Sequence, residues 1–268
     1  GRGWAVLAIV VLAVFLISRN HRLHRKREEV ETSAVVFNLR KIKDSAAAAE
    51  VTSQHAGIFL GKVEEVLGLG FDGLFRQDRQ TLKSAREGQR KVQHWSNIIA
   101  ANIFKVFRLL QRADIDESQR YVQTMSALQE ISESLRDIVV RAHLHVANNH
   151  SGLLAEQKEE LDTVRAMVQD ILSRTSTALR EGSCPDCDAI GAENQKLRIL
   201  VNDLDASQLV RIKDNASKTR LSILYYSLVW DSLKIAEQTT NLLTVFEEQL
   251  RPGSSPSATG NLAADRPA

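Results

Sequence analysis

A chain of 268 residues is long enough to bury a substantial core, and its four prolines and thirteen glycines leave few interruptions for long helices. Ala, Leu, Glu, Gln and Arg dominate, which suits helices far better than sheets. A formal charge of +2, with basic residues interleaved among acidic ones, argues against nucleic acid as a partner.

The chain opens on an apolar run, Trp4 to Ile17, followed by Arg19, Arg22, Arg25, Lys26 and Arg27. A bilayer core takes ~20 apolar residues to cross, so residues 1–18 read as a transmembrane helix truncated upstream. The start at Gly1 likewise reads as that of a fragment. The cations that follow would hold this end in the cytoplasm. A secretory signal would carry its charge mainly before the run and a small-residue cleavage site after it, whereas here only Arg2 precedes and no such site follows. A single-pass anchor stays open on this segment alone. Residues 19–44 then read as a basic juxtamembrane segment and connector, with Ala34-Val-Val-Phe37 as a short strand or turn.

Asp44 or Ser45 is placed to cap a first helix carrying Val51, Ile58, Phe59, Val63, Val66 and Leu67. Gly68-Leu-Gly70-Phe-Asp-Gly73 formally spells the dinucleotide fingerprint. That fingerprint needs a strand before it, and the segment before it here is helical, so a glycine-rich turn between helices is the better reading. A second helix from about Arg76 to Arg112 carries Trp95, Ile98, Ile99, Ile103, Val106, Leu109 and Leu110. Asp114-Ile-Asp-Glu117 supplies a capping-box-like start for the third.

The third helix organises the chain. Tyr121, Met125, Leu128, Ile131, Leu135, Ile138, Ala142 and Val146 recur in steps of three and four along one seam. Residues 45–150 therefore make a first three-helix bundle, closed by Asn148-Asn149-His150-Ser-Gly152. Residues 151–250 make a second. Its fourth helix carries Leu154, Leu161, Val164, Val168, Ile171 and Leu172 and stops at Gly182, and the loop Ser183-Cys-Pro-Asp-Cys187 follows. The fifth carries Leu197, Leu200, Val201, Leu204 and Ile212. The sixth runs from about Lys218 to Leu250 with Leu221, Leu224, Tyr225, Leu228, Ile235, Leu242 and Phe246. Residues 251–268, rich in Pro, Gly, Ser and Ala, read as a disordered tail.

Tyr225, Ile235, Glu237 and Leu242 repeat Tyr121, Ile131, Glu133 and Ile138 at a constant offset, as expected of two copies of one unit. The wording of these helices carries a resemblance. Tyr121-Val-Gln, Leu128 to Ile131 and His145-Val-Ala-Asn-Asn-His150-Ser-Gly-Leu, with Thr219 to Tyr226 and Glu237-Gln-Thr-Thr-Asn241-Leu-Leu, resemble the cytoplasmic PhoU-like domain of PiT-type inorganic phosphate transporters. The resemblance covers roughly Ala46 to Leu250. It implies an all-α PhoU-like pair of three-helix bundles behind the last span of a multi-pass permease in the bacterial inner membrane. It also implies inorganic phosphate and a coupling cation as partners of the upstream permease part, the membrane domain as a docking partner, and a possible homo-oligomer. The alternative is a membrane-anchored helical signalling or scaffold protein.

Four groups of residues bear on chemistry. Cys184 and Cys187 are the only cysteines; facing a reducing cytosol they read as two free thiols in a loop. A zinc site would need further ligands and a redox centre a thioredoxin-like context. His143 and His150 lie about two turns apart and could share a helix face, with His145 pointing elsewhere. Asn148, Asn149 and His150 also suit a helix end, which is the favoured role. PhoU proteins carry paired acids four residues apart on their long repeated helices. Here Gln129 and Leu233 stand at the first acidic positions and Glu133 and Glu237 at the second, a departure that weakens a metal reading. Glu133-Ser-Leu-Arg-Asp137 spells an acid pair one turn late, and Arg136 beside it marks an ordinary charged face. No P-loop, Ser-His-Asp arrangement or zinc-hydrolase motif occurs, so no enzyme, catalytic residue, cofactor or metal site is expected.

Overall fold

The computed structural model describes residues 19–20, 22–23, 25–35, 45–109 and 115–251. The apolar run at 4–17, the stretch 36–44, Asp114 of the capping box and the tail beyond Arg251 lie outside the described residues. Among the described residues no helix is long and apolar enough to cross a membrane, and none forms a strand.

The chain divides into two units, residues 1–36 and 37–268. In the first, residues 25–33 are helical, where the sequence pattern suggested only a connector, and Arg25 pairs with Glu29 one turn on at 3.4 Å. The segment stops in a turn at Ala34 and Val35, whose amides donate to the carbonyls of Glu31 and Thr32.

Among the described residues the second unit holds seven helices: α1 (Ser45–Phe75), α2 (Arg79–Leu109), α3 (Ile115–Ala147), α4 (Ala155–Glu181), α5 (Cys187–Lys213), α6 (Thr219–Val245) and the short α7 (Glu247–Leu250). Helix α2 packs on α1 and α3, and α5 packs on α4 and α6. The two layers meet through α1 against α4 and α3 against α6. Helices α1, α3, α4 and α6 thus share a central core, with α2 and α5 outside it. Phe59, Phe71, Leu128, Ile131, Tyr121 and Tyr225 are fully buried there, and Phe107 meets Tyr121 edge-on at 5.2 Å between ring centres.

Helix α1 does not end at the glycine cluster. It runs through Gly68, Gly70 and Gly73 to Phe75 and stops where Gln77 takes a left-handed φ of 54°. The Asp78 amide then closes on the Gly73 carbonyl at 2.8 Å, a reversal in which Gln77 stands where glycine is commoner. The glycines serve packing instead. A Cβ at Gly73 would lie 2.6 Å from Leu82 Cγ, and one at Gly70 would press on Val139 at 3.3 Å. Asp78 starts α2, accepting from the Gln80 amide at 2.9 Å and the Thr81 hydroxyl at 2.5 Å. These bonds stabilise the charged form and hold its carboxyl below the usual range.

The α1–α4 contact is built from small residues one turn apart. The Ser53 hydroxyl donates to the Leu179 carbonyl at 3.0 Å, and Ser176 donates to the Gly57 carbonyl at 2.7 Å. A Cβ at Gly61 would stand 3.4 Å from Ser176 Oγ. Ser53, Gly57 and Gly61 lie on one face of α1 and let the two backbones approach closely.

Two further expectations are corrected in the second layer. Ile212 is exposed; the buried stripe of α5 is Ile190, Leu197, Val201, Leu204 and Gln208. The sixth helix breaks at Phe246, whose φ of −103° and ψ of 10° separate α6 from α7.

Candidate functional site

Helices α3 and α6 lie antiparallel, as three crossing contacts fix: His150 with Arg220, Glu130 with Gln238 and Glu248 with Arg120. The repeated residues occupy equivalent places in the core, since Tyr121, Tyr225, Ile131, Ile235, Ile138 and Leu242 are all buried. Glu133 and Glu237 stand half-buried at the rim of the two helices.

The structure does not bring the acidic residues together. Gln129 donates to Glu133 at 2.7 Å, so the residue at the first acidic position occupies an oxygen of the second. Asp137 is held by Arg136 at 3.2 Å. Glu237 turns toward α5, where Arg198 meets it at 2.6 Å and supplies the positive charge a cation would otherwise bring. Asp231, one helix over from Asp137, donates nothing and accepts from Ser227 at 2.9 Å; burial, and then the Asp137 charge, raise its carboxyl above the usual range. Among the described residues no three His, Cys, Asp or Glu side chains converge as a metal site would require.

The histidines group differently from the helical spacing. Just past the end of helix α3, Asn149 with a φ of 53° turns the chain back, and the His150 amide closes on the His145 carbonyl at 3.2 Å. This reversal brings the His145 and His150 rings to 5.3 Å, whereas His143 lies toward α2 near Arg86. The two-turn separation of His143 and His150 holds only for a helix that continues, and this one stops. Buried His145 meets the Ser151 carbonyl through Nε2 at 2.9 Å, and burial lowers its pKa, favouring neutral imidazole with that nitrogen donating. Asn149 closes the corner by accepting from Arg79 at 2.6 Å, so helix termination is the visible role of this group.

Cys184 and Cys187 are not two free thiols. They form a disulfide across the Pro-Asp turn, their Cα atoms 5.4 Å apart. Arg174 braces the turn through Asp186 at 2.5 Å, and the Cys184 amide donates to the Leu250 carbonyl at 3.1 Å, tying the loop to α7.

A polar cluster joining α4, α5 and α6 escapes the apolar pattern. Arg211 grips Glu160 with two bonds of 3.0 and 2.7 Å, and the Tyr225 hydroxyl donates to the same carboxylate at 2.5 Å. Burial, followed by the Glu160 charge and hydrogen bond, raises the Tyr225 pKa; the Glu160 bond likewise raises that of Arg211. Arg211 also donates to Gln208 at 2.9 Å, whose amide joins Gln157, Ser217 and Ser222 in a buried network. Gln157 stands four residues before Leu161, and Gln208 four after Leu204. Their place on the apolar stripes was the available signal. Every bond in this cluster is met within the chain, which is the mark of a structural network.

No protein-family model matches the chain. No curated protein matches it either. Among solved structures, the crystal structure of PhoU from Pseudomonas aeruginosa is similar at a TM-score of 0.64 and 12% identity, over 76% of this chain and 97% of that one. The two stacked three-helix layers thus have the fold of PhoU.

Proposed function

We propose that residues 45–250 are the PhoU-like regulatory and interaction module of a bacterial inorganic phosphate permease. Residues 1–18 would be the permease's last span, and the substrate site would lie upstream. The observation that carries the reading is the PhoU-like fold behind an apolar run flanked by five cations within nine residues, Arg19 to Arg27. The polar clusters satisfy themselves internally, which favours control by contact over catalysis. The module is read as cytoplasmic and non-enzymatic, acting on its own membrane domain. Phosphate and a coupling cation would pass through that domain by symport, and the modules could pair in a homo-oligomer.

The intact protein should restore labelled phosphate uptake to cells stripped of their own phosphate transporters. No uptake despite normal membrane insertion would leave the second reading, a membrane-anchored helical scaffold. That reading draws on one feature, an apolar run that would serve a single-pass anchor equally well.

A further inference from the structure

Where α3 stops and α6 begins, an open cleft of about 230 Å³ lies between the two helices. It is lined by Arg141, Leu144 and His145 from α3, His150 from the turn after it, and Arg220 and Ile223 from α6. Leu144 and Ile223 are 50% and 57% exposed, so an apolar surface lies bare beside two guanidinium groups.

The local charge is positive and only partly answered. Arg220 donates to the His150 ring at 3.2 Å, which fixes its direction while leaving most of its N–H groups unused. Arg141 feels the Asp231 carboxylate electrostatically, but no described carboxylate comes within ion-pairing distance of either arginine. Asp137, the acid nearest in sequence to Arg141 on α3, is engaged by Arg136. The first turn of α6 carries no acidic residue and no side-chain cap, so its positive end adds to the same field. His145 is committed to the Ser151 carbonyl and contributes a wall.

We infer that this cleft binds a small organic phosphate monoester, the phosphoryl oxygens between Arg141 and Arg220 and the organic part against Leu144 and Ile223. Two planar guanidinium forks offer more donors than one carboxylate can use, whereas a phosphate monoester presents three terminal oxygens to them. The cleft is also larger than a lone inorganic phosphate needs, and its bare aliphatic walls gain by covering an apolar body. The inference stands on this cleft alone and is independent of the permease reading.

Binding of phenyl phosphate and of inorganic phosphate to the purified 268-residue chain, followed by calorimetry, tests it. Arg141→Gln and Arg220→Gln should each weaken phenyl phosphate on the order of tenfold, the loss typical of one charged hydrogen-bonding partner. Ile223→Ser should weaken phenyl phosphate several-fold and leave the weaker binding of inorganic phosphate unchanged. Because all three side chains are exposed, circular dichroism should show the fold intact in every variant. Phenyl phosphate binding absent at millimolar concentration, or equal in wild type and both arginine variants, would overturn the proposal. So would binding to phosphatidic acid vesicles through the same arginines with none to phenyl phosphate, since that places the phosphoryl group on a lipid surface.

Discussion

Ser176 of α4 donates its hydroxyl to the Gly57 carbonyl of α1 at 2.7 Å, a bond that joins the two layers through a backbone group. A methyl group at Gly57 would fall 2.8 Å from the Ser176 carbonyl and 2.6 Å from Arg180 Cγ. The arginine stem can move aside; the backbone oxygen cannot without separating the helices. Gly57→Ala should therefore destabilise the chain by about 1–3 kcal/mol, the usual cost of overpacking. Gly191, in α5, has no atom near its missing Cβ, so Gly191→Ala should stabilise by about 0.5–1 kcal/mol through helix propensity alone. Thermal unfolding of the two variants should move in opposite directions; a shift of the same sign in both would refute the packing account.

Six long helices and their apolar seams were legible because periodicity reports burial directly. Leu128 to Val146 and Leu161 to Leu172 face inward as their spacing requires, while Met125 is only half-buried and Thr124 beside it is buried. What the pattern could not show was where polarity and small size do the packing. Gly68 to Gly73 looked like a break because glycine is poor in helices, yet here it admits Leu82 and Val139. The fifth helix buries Gln208 and exposes Ile212, because a buried amide network is invisible to a count of apolar residues. His150 was placed by helical geometry that Asn149 ends. The cysteine pairing depended on a turn geometry that spacing alone does not specify.

The Glu160–Arg211–Tyr225 cluster yields a second prediction. Arg211 is 11% exposed and Glu160 23%, so removing the arginine leaves a carboxylate that water reaches poorly. Arg211→Met should cost about 2–3 kcal/mol, below the range for a fully buried pair. The double variant Arg211→Met, Glu160→Gln should recover most of that loss, because no unpaired charge remains. A double variant as unstable as the sum of both singles in urea unfolding would show that the pair is not coupled.

His55 gives the pH dependence. Burial lowers its pKa from 6.5 to about 4, so the folded chain holds it neutral while the unfolded chain protonates it at a higher pH. The unfolded state therefore binds more protons between these values. The stability tied to neutral His55 is complete above about pH 6.5 and lost as pH falls toward 4. The loss should be on the order of 2 kcal/mol, allowing for partial hydration. Replacing the side chain, His55→Leu, should flatten this part of the stability profile. Parallel profiles for wild type and variant would contradict the assignment.

The Cys184–Cys187 bridge closes a loop of sequence separation 3, so its chain-entropy contribution is small, about 2 kcal/mol at most. Thiol titration of the denatured, unreduced chain should find no free thiol, and reductant should lower the unfolding midpoint modestly. Two reactive thiols in oxygenated buffer would contradict the pairing.

The central claim is that a PhoU-like module controls a permease to which it is tethered. A tethered module can shift a transporter between conformations only if it contacts them differently, and its high effective concentration makes even weak docking sufficient. The most direct measurement is uptake of labelled phosphate by the intact protein and by a form truncated after Lys43, at matched membrane expression, in phosphate-starved and phosphate-replete cells. The account predicts that the truncated form still transports but differs in rate or in its response to phosphate status. Identical uptake and identical response in both conditions would contradict it.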